Sequence, residues 1–225
     1  PQMYYKAVNE FALEDAKEKI IETLKEALDD GIITQSDYKA MNPEDRNAAK
    51  FYCNYKVNKA HDSIPPERPI ISGSGSITEN ISIYVDHIKH IATQHQSYLH
   101  DTPHLLRIIE KVNQGPKLPL NAVLVTTDAI GLYLNIPQED GSSCLEEALN
   151  ERQDQSVPSS FIVKLMNLIQ KYNIFEFHDG QLWKQLIGVA MGTHPAPPFA
   201  EIYLARRIDE QIRILAHKYG KDGKS

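Results

Sequence analysis

The 225-residue chain is 41% apolar and 24% charged, enough to bury one sizeable core or two small lobes and too apolar for wholesale disorder. Its formal net charge of -6 argues against a plain electrostatic nucleic-acid binder, although a surplus of Lys and Arg survives locally over residues 51–120 and 201–225. No apolar stretch approaches the roughly 20 residues of a membrane span, no signal core follows the N-terminus, and Cys53 and Cys144 lack metal or disulfide spacing; the expectation is an intracellular protein with free thiols and no membrane partner.

Apolar residues Leu13, Ala16, Ile20, Leu24 and Ala27 recur at three and four, which predicts a helix over 11–30 with Gly31 as its stop. Thr34-Gln35-Ser36-Asp37 is a capping-box pattern for a short second helix. Asn42-Pro43-Glu44-Asp45 carries the cap, the first-turn proline and the early acids of a third. From 51 to 82 the pattern changes: Phe51 and Tyr52 open an aromatic extended piece, and Pro65, Pro66, Pro69 and Ser72-Gly73-Ser74-Gly75-Ser76 forbid a long helix, so strands and a loop are expected. Helical spacing returns over 81–98 and 103–113, the second begun by Thr102-Pro103 and stopped by Gly115-Pro116.

After a linker over 115–120, the β-branched run from Ala122 to Thr127 predicts a buried strand that delivers Asp128 at its C-terminal end. Helices are expected over 142–152 and 159–172. A hairpin follows, formed by 174–177, the turn His178-Asp179-Gly180, and 182–187, and a last helix covers 197–217. The chain begins at Pro1 and stops in the polar tract Lys221-Asp222-Gly223-Lys224-Ser225, so both ends read as cuts.

Three constellations could carry chemistry. Asp128 is followed five residues on by Tyr133, which puts a carboxylate and an aromatic ring at the end of a strand. Such a carboxylate can hold Mg²⁺, which takes one or two protein carboxylates and leaves its other positions to water and phosphate; taken alone, a strand-end Asp is more often a turn or cap residue. Gly188-Val189-Ala190-Met191-Gly192, followed by Pro195 and Pro197, permits close backbone approach and a stiff helix entry. Lys56, Lys59 and Arg68 flank a flexible segment able to fold over a triphosphate, with solvated surface cations as the plainer reading. His87, His90, His95, His100 and His104 cluster in sequence, but no cysteine or well-spaced second pair completes a zinc tetrahedron.

Taken in order, Phe51-Tyr52, Lys56, Lys59, Arg68-Pro69-Ile70-Ile71-Ser72, Leu124-Val125-Thr126-Thr127-Asp128, Leu132-Tyr133-Leu134-Asn135-Ile136-Pro137, Gly188 to Gly192 and Ala196-Pro197 resemble the reverse transcriptases of Penelope-like retroelements. The resemblance runs from about residue 50 to 217. It implies an α+β fingers and palm fragment with a split β-α-β palm: an N-terminal helical segment over 1–50, fingers over 51–120, a partial palm over 121–217, and a linker over 218–225. It also implies an RNA-directed DNA polymerase of nuclear residence, whose partners are an RNA template, a DNA primer and deoxynucleoside triphosphates, with Mg²⁺ as cofactor.

By the same resemblance Asp128 is the catalytic, metal-bridging aspartate of two-metal phosphoryl transfer, and Tyr133 is the steric gate against a ribonucleotide 2′-hydroxyl. Lys56, Lys59 and Arg68 clamp the incoming phosphates, and Gly188, Met191, Gly192 and Pro197 lie beneath the nascent base pair. Leu134, Pro198, Phe199 and Glu201 depart from the family, which has Thr, Ser, Tyr and Asn there. The family's paired-aspartate motif is expected beyond residue 225, so the fragment alone is expected to be inactive, and the strand ending at Asp128 is expected to leave an open sheet edge. The rival readings are a non-catalytic nucleic-acid-binding module and a structural or interaction domain that uses the acidic N-terminal helices.

Overall fold

The computed structural model describes residues 4–57, 63–95, 97–120, 122 and 128–219. Lys59, residues 123–127 of the strand expected over 122–127, and the terminal tract from 220 lie outside the described residues.

Helix α1 (Glu10–Asp29) forms on the predicted spacing and buries Ala16, Ile20, Leu24 and Ala27; the Asn9 side chain caps it by accepting from the Ala12 N–H. Burying each of Ile20 and Leu24 contributes about 1.5–3 kcal/mol. Helix α2 (Gln35–Met41) has the expected capping box, in which Thr34 Oγ1 accepts from the Asp37 N–H and the Asp37 carboxylate accepts from the Thr34 N–H at 2.9 Å.

The strands β1 (Tyr5–Val8), β2 (Ala49–Tyr55), β3 (Glu67–Ser72), β4 (Ile174–Glu176) and β5 (Leu182–Gln185) form one mixed sheet in the order β1-β5-β4-β2-β3. Every neighbouring pair is antiparallel except β2 with β4, where Ala49 stands beside Phe175 in a parallel register. The β4–β5 hairpin follows its turn signal. Strand β1 had no such signal: its partner is distant in sequence, and four residues give too short an alternation to read.

The remaining elements are α3 (Glu79–Val85), a 3₁₀ turn over Asp86–Ile88, α4 (Lys89–Gln94), α5 (Thr102–Gln114), α6 (Leu132–Asn135), α7 (Gln138–Asn150), α8 (Ser159–Lys171) and α9 (Ala196–Tyr219). One apolar core joins α1, α3, α7, α8 and α9, with Ile81, Leu145, Leu149, Leu165, Met166 and Phe199 all sealed from solvent. A smaller cluster of Ala49, Ile71, Phe175 and Ala190 occupies the other face of the sheet, and the Phe51 and Phe175 rings stack there at 5.4 Å. The α+β class holds. Residues 4–50 share this sheet and core with the rest of the chain, because β1 pairs with β5 and α1 joins the main cluster.

Three expectations are corrected. No helix follows Asn42: its side chain accepts from the Glu44 N–H at 2.9 Å, Arg46 N–H closes a single turn on the Pro43 carbonyl, and the Arg46 guanidinium binds Glu79 and Asn80 of α3. The chain is thereby drawn toward α3 before a helix can propagate. The helix expected over 81–98 begins at Glu79, tightens into the 3₁₀ turn and stops at Gln94, where His95 turns extended and its Nδ1 accepts from the Ser97 N–H. Helix α7 starts at Gln138, directly after Pro137, rather than at 142.

Candidate nucleotide-binding cleft

Two backbone contacts of the loop from Gly188 to Gly192 bring distant segments together. On one side the loop extends the outer edge of β3: Ile71 N–H donates to the Met191 carbonyl at 2.9 Å and Gly73 N–H to the Gly192 carbonyl at 3.0 Å. On the other side Val189 N–H donates to the Tyr133 carbonyl at 2.7 Å, which ties α6 to the same loop. Gln138 Nε2 adds a bond to the Gly188 carbonyl at 2.9 Å.

Glycine is required at both ends of this loop. Gly188 has φ +73, and a Cβ there would lie 2.5 Å from the Tyr133 carbonyl oxygen and 2.8 Å from Leu134 Cα. Gly192 has φ +118, and its Cβ would lie 2.4 Å from the Ile71 carbonyl oxygen. Both conformations disfavour L side chains. The sequence expectation was that absent side chains let the backbone approach nucleic acid; at both positions the absent side chain also lets two protein backbone segments approach each other.

The result is a cleft of about 700 Å³ between the β2–β3 hairpin, the segment from Asp128 to Leu134, and the start of α9. Of the site residues expected from sequence, Lys56, Arg68, Asp128, Tyr133, Met191, Gly192 and Pro197 line it. Gly188 does not line it and instead supports α6 from behind. Lys59 lies outside the described residues.

Arg68 and Asp128 are exposed, while Lys56 and Tyr133 are half-buried. Burial pushes the Tyr133 phenol above its ordinary range, the Glu201 carboxylate adds to that rise, and the Arg68 guanidinium opposes it. Desolvation likewise raises Glu201. Arg68 and Glu201 therefore act on the Tyr133 phenol with opposite sign. Phe199, where the resembled family has Tyr, is fully buried, and its ring tip abuts Gly141.

Sequence reasoning missed three contributors. Glu67 lines the cleft beside Arg68, Gln138 anchors the glycine loop, and Glu201 acts on Tyr133 through its field. The first could have been found from its position on the strand that carries Arg68; the other two act across long separations that no local pattern encodes.

Glu67 and Asp128 are the carboxylates in the lining, and the Cys53 thiol is pushed up by desolvation first and then by the Glu67 carboxylate. Among the described residues no group of three or more His, Cys, Asp or Glu side chains converges as a metal site. This donor set fits one Mg²⁺ held by Asp128, water and phosphate oxygens, and does not fit a two-metal arrangement by itself.

The histidines bond locally. His87 Nδ1 pairs with the Tyr84 carbonyl at 3.0 Å, His90 with the His87 carbonyl, and His104 Nδ1 accepts from the His100 N–H at 3.3 Å. A larger cavity, about 820 Å³, lies between α3–α4 and the loop after α7. Its Arg152 is already bound to the carbonyls of Asp154 and Val157.

No helix among the described residues is long and apolar enough to cross a membrane. No family model, curated protein or solved structure matches the chain.

Proposed function

We propose that the chain is the fingers and front palm of a reverse transcriptase similar to those of Penelope-like retroelements, and that the cleft receives a deoxynucleoside triphosphate opposite an RNA template. The observation that carries this reading is the convergence of Lys56, Arg68, Asp128 and Tyr133, drawn from two distant segments, on one cleft. Such a cleft needs cations for the phosphates, a carboxylate for Mg²⁺ and a surface that senses the sugar, and these residues supply each in kind.

In this reading Arg68 binds phosphate oxygens through its planar guanidinium and Lys56 adds a point charge. Asp128 holds Mg²⁺, which when bound neutralises triphosphate charge and activates the attacking hydroxyl. Tyr133 excludes a 2′-hydroxyl by bulk. Polymerisation requires further carboxylates, supplied in this family by a paired-aspartate hairpin, and nuclear residence belongs to the same proposal.

The test is titration of the chain with deoxynucleoside and ribonucleoside triphosphates in Mg²⁺, beside Arg68→Ala, Asp128→Ala and Tyr133→Ala. Arg68→Ala is expected to weaken deoxynucleotide binding by about tenfold, and Tyr133→Ala to bring the two sugars to within about threefold of each other. Primer extension on an RNA template by a longer polypeptide carrying a paired-aspartate motif, with and without Asp128, tests catalysis. Extension unaffected by Asp128→Ala sinks the assignment.

One observation favours a second reading, a nucleic-acid-binding module without chemistry: of the two lining carboxylates, Glu67 stands beside Arg68 on β3 and interacts with the Cys53 thiol. That module binds RNA or DNA with strong salt dependence and no Mg²⁺ requirement.

A further inference from the structure

Tyr133 stands on α6, a single helical turn of four residues (Leu132–Asn135) whose N-cap, Gly131, supplies no side-chain cap. One turn does not hold itself in water, because fixing its backbone costs more than its few hydrogen bonds return. Two amide side chains, three positions apart, brace it. Asn135 Nδ2 works locally, donating to the carbonyls of Ile130 at 3.2 Å and Gly131 at 3.1 Å. Gln138 Nε2 reaches across 50 residues of sequence to the Gly188 carbonyl at 2.9 Å, in a partly buried bond.

From Gly188 the path to Tyr133 is short and made of backbone. Val189, only 2% exposed, donates its N–H to the Tyr133 carbonyl at 2.7 Å. Gly188 itself lies so near α6 that a Cβ on it would sit 2.5 Å from the Tyr133 carbonyl oxygen and 2.8 Å from Leu134 Cα. A loop seated this tightly takes Tyr133 with it when it shifts. The residue type at 138 is informative as well. Gln138 opens α7, with Glu139 and Asp140 beside it in the first turn, where a carboxylate interacts favourably with the helix dipole. Glutamate at 138 would add to that effect, but an ionised carboxylate only accepts, and the Gly188 carbonyl takes a donor. The amide at this position serves the loop rather than the helix.

We propose that Gln138 is a positioning residue for sugar discrimination: by holding the Gly188 carbonyl it sets where the Tyr133 ring stands in the cleft. The proposal rests on the reading of Tyr133 as a gate against the ribonucleotide 2′-hydroxyl. A gate that excludes by bulk depends on distance, and misplacements on the order of 1 Å are enough to blunt such a site. Tyr133 lines the cleft and Gln138 does not, so the influence of Gln138 on the sugar passes through the loop and α6.

Titration of the whole chain, Gln138→Glu and Gln138→Met with deoxynucleoside and ribonucleoside triphosphates in Mg²⁺ tests the role; both variants keep the side-chain length and lose the donor. The preference for the deoxy sugar is expected to fall by about threefold or more in each, and a loss of stability common to both sugars cancels in that ratio. Hydrogen exchange at the Val189 N–H is expected to quicken roughly tenfold. Tyr133→Ala combined with Gln138→Met is expected to show the preference of Tyr133→Ala alone, because a residue acting through another adds nothing once that other is gone. A preference unchanged in both variants overturns the role, as does unchanged exchange at Val189 or an additive double variant. A parent chain that binds the two sugars alike overturns the gate reading and the sugar role of Gln138 with it. The two failures are told apart because in the first the parent still discriminates.

Discussion

Replacing Gly188 by alanine should damage fold and cleft together, by an amount the structure fixes within limits. Alanine at φ +73 carries the left-handed penalty, roughly 1–2 kcal/mol. Its Cβ would start 2.5 Å from the Tyr133 carbonyl oxygen, so the loop and α6 must separate by most of an ångström to reach ordinary contact. Both clashing groups are backbone, so a side-chain rotation gives no relief. That separation breaks the 2.7 Å bond from Val189 N–H to the Tyr133 carbonyl, at a residue only 2% exposed. Leaving a buried donor unsatisfied costs about 1–3 kcal/mol.

The sum is roughly 2–5 kcal/mol, which for a domain of this size lowers the melting temperature by roughly 5–20 °C. Gly180→Ala is the matched control, since Gly180 has φ +81 and a Cβ there meets nothing within 4 Å; it should cost only the conformational part, about 1–2 kcal/mol. Urea denaturation of both variants and the parent reads the difference. If the two variants are equally destabilised, the close approach of loop and α6 is not supporting the fold, and the account of how the cleft is assembled is wrong.

Removing the capping box by Thr34→Ala should cost about 0.5–2 kcal/mol by urea denaturation, with the loss localised to α2 in hydrogen exchange. The Thr34 hydroxyl and N–H hold the Asp37 carboxyl below its ordinary range. A depressed folded-state pKa stabilises above the unfolded value and ceases to do so as pH falls through the folded one; Thr34→Ala should therefore flatten the acid limb of the stability curve. Asp140 behaves alike, its carboxyl held low chiefly by its hydrogen bond with Arg207, so Asp140→Asn should lower stability at neutral pH and lose that difference in acid. Phe199→Ala should cost about 3–5 kcal/mol, because the ring is fully buried in the main core, and a smaller loss would mean that the core collapses around the cavity.

The parts of the fold legible in the sequence are those whose signals are local. The three-and-four spacing from Leu13 to Ala27, the Thr34–Asp37 box and the turn at His178-Asp179-Gly180 each specify their element without outside help. The segment after Asn42 shows the opposite. Its residues are good helix starters, but Arg46 gains Glu79 and Asn80 only if the chain turns away, and Asn47 N–H then bonds to the Gly75 carbonyl at 3.1 Å. Tertiary bonds outweigh a propensity worth a few tenths of a kcal/mol per residue. Strand β1 was illegible for a related reason, since its register with β5 is set by pairing across most of the chain. The candidate site was legible as one site only through resemblance, since the pair Lys56 and Arg68 and the pair Asp128 and Tyr133 are far apart in sequence and meet through the glycine loop.

That dependence on one loop decides which experiments can separate the functional readings. Gly188 and Gly192 are required wherever β3 and α6 must be joined, so their loss impairs a polymerase fragment, a binding module and an inert scaffold alike. Tyr133 is half-buried and its backbone carbonyl serves the fold, so its substitutions are informative only through the ratio of two sugars, which cancels any common loss of stability. Arg68 and Asp128 differ from these because their side chains are exposed and the main core does not use them. A scaffold tolerates their removal without consequence, since exposed substitutions away from special features usually stay within about 0.5 kcal/mol. A nucleic-acid module loses salt-dependent affinity on losing Arg68 and gains or keeps affinity on losing the negative charge of Asp128. A Mg²⁺-dependent nucleotide site loses affinity in both cases, and for Asp128 only when Mg²⁺ is present. Arg68→Ala and Asp128→Ala, each titrated with and without Mg²⁺, therefore distinguish the three readings when taken together.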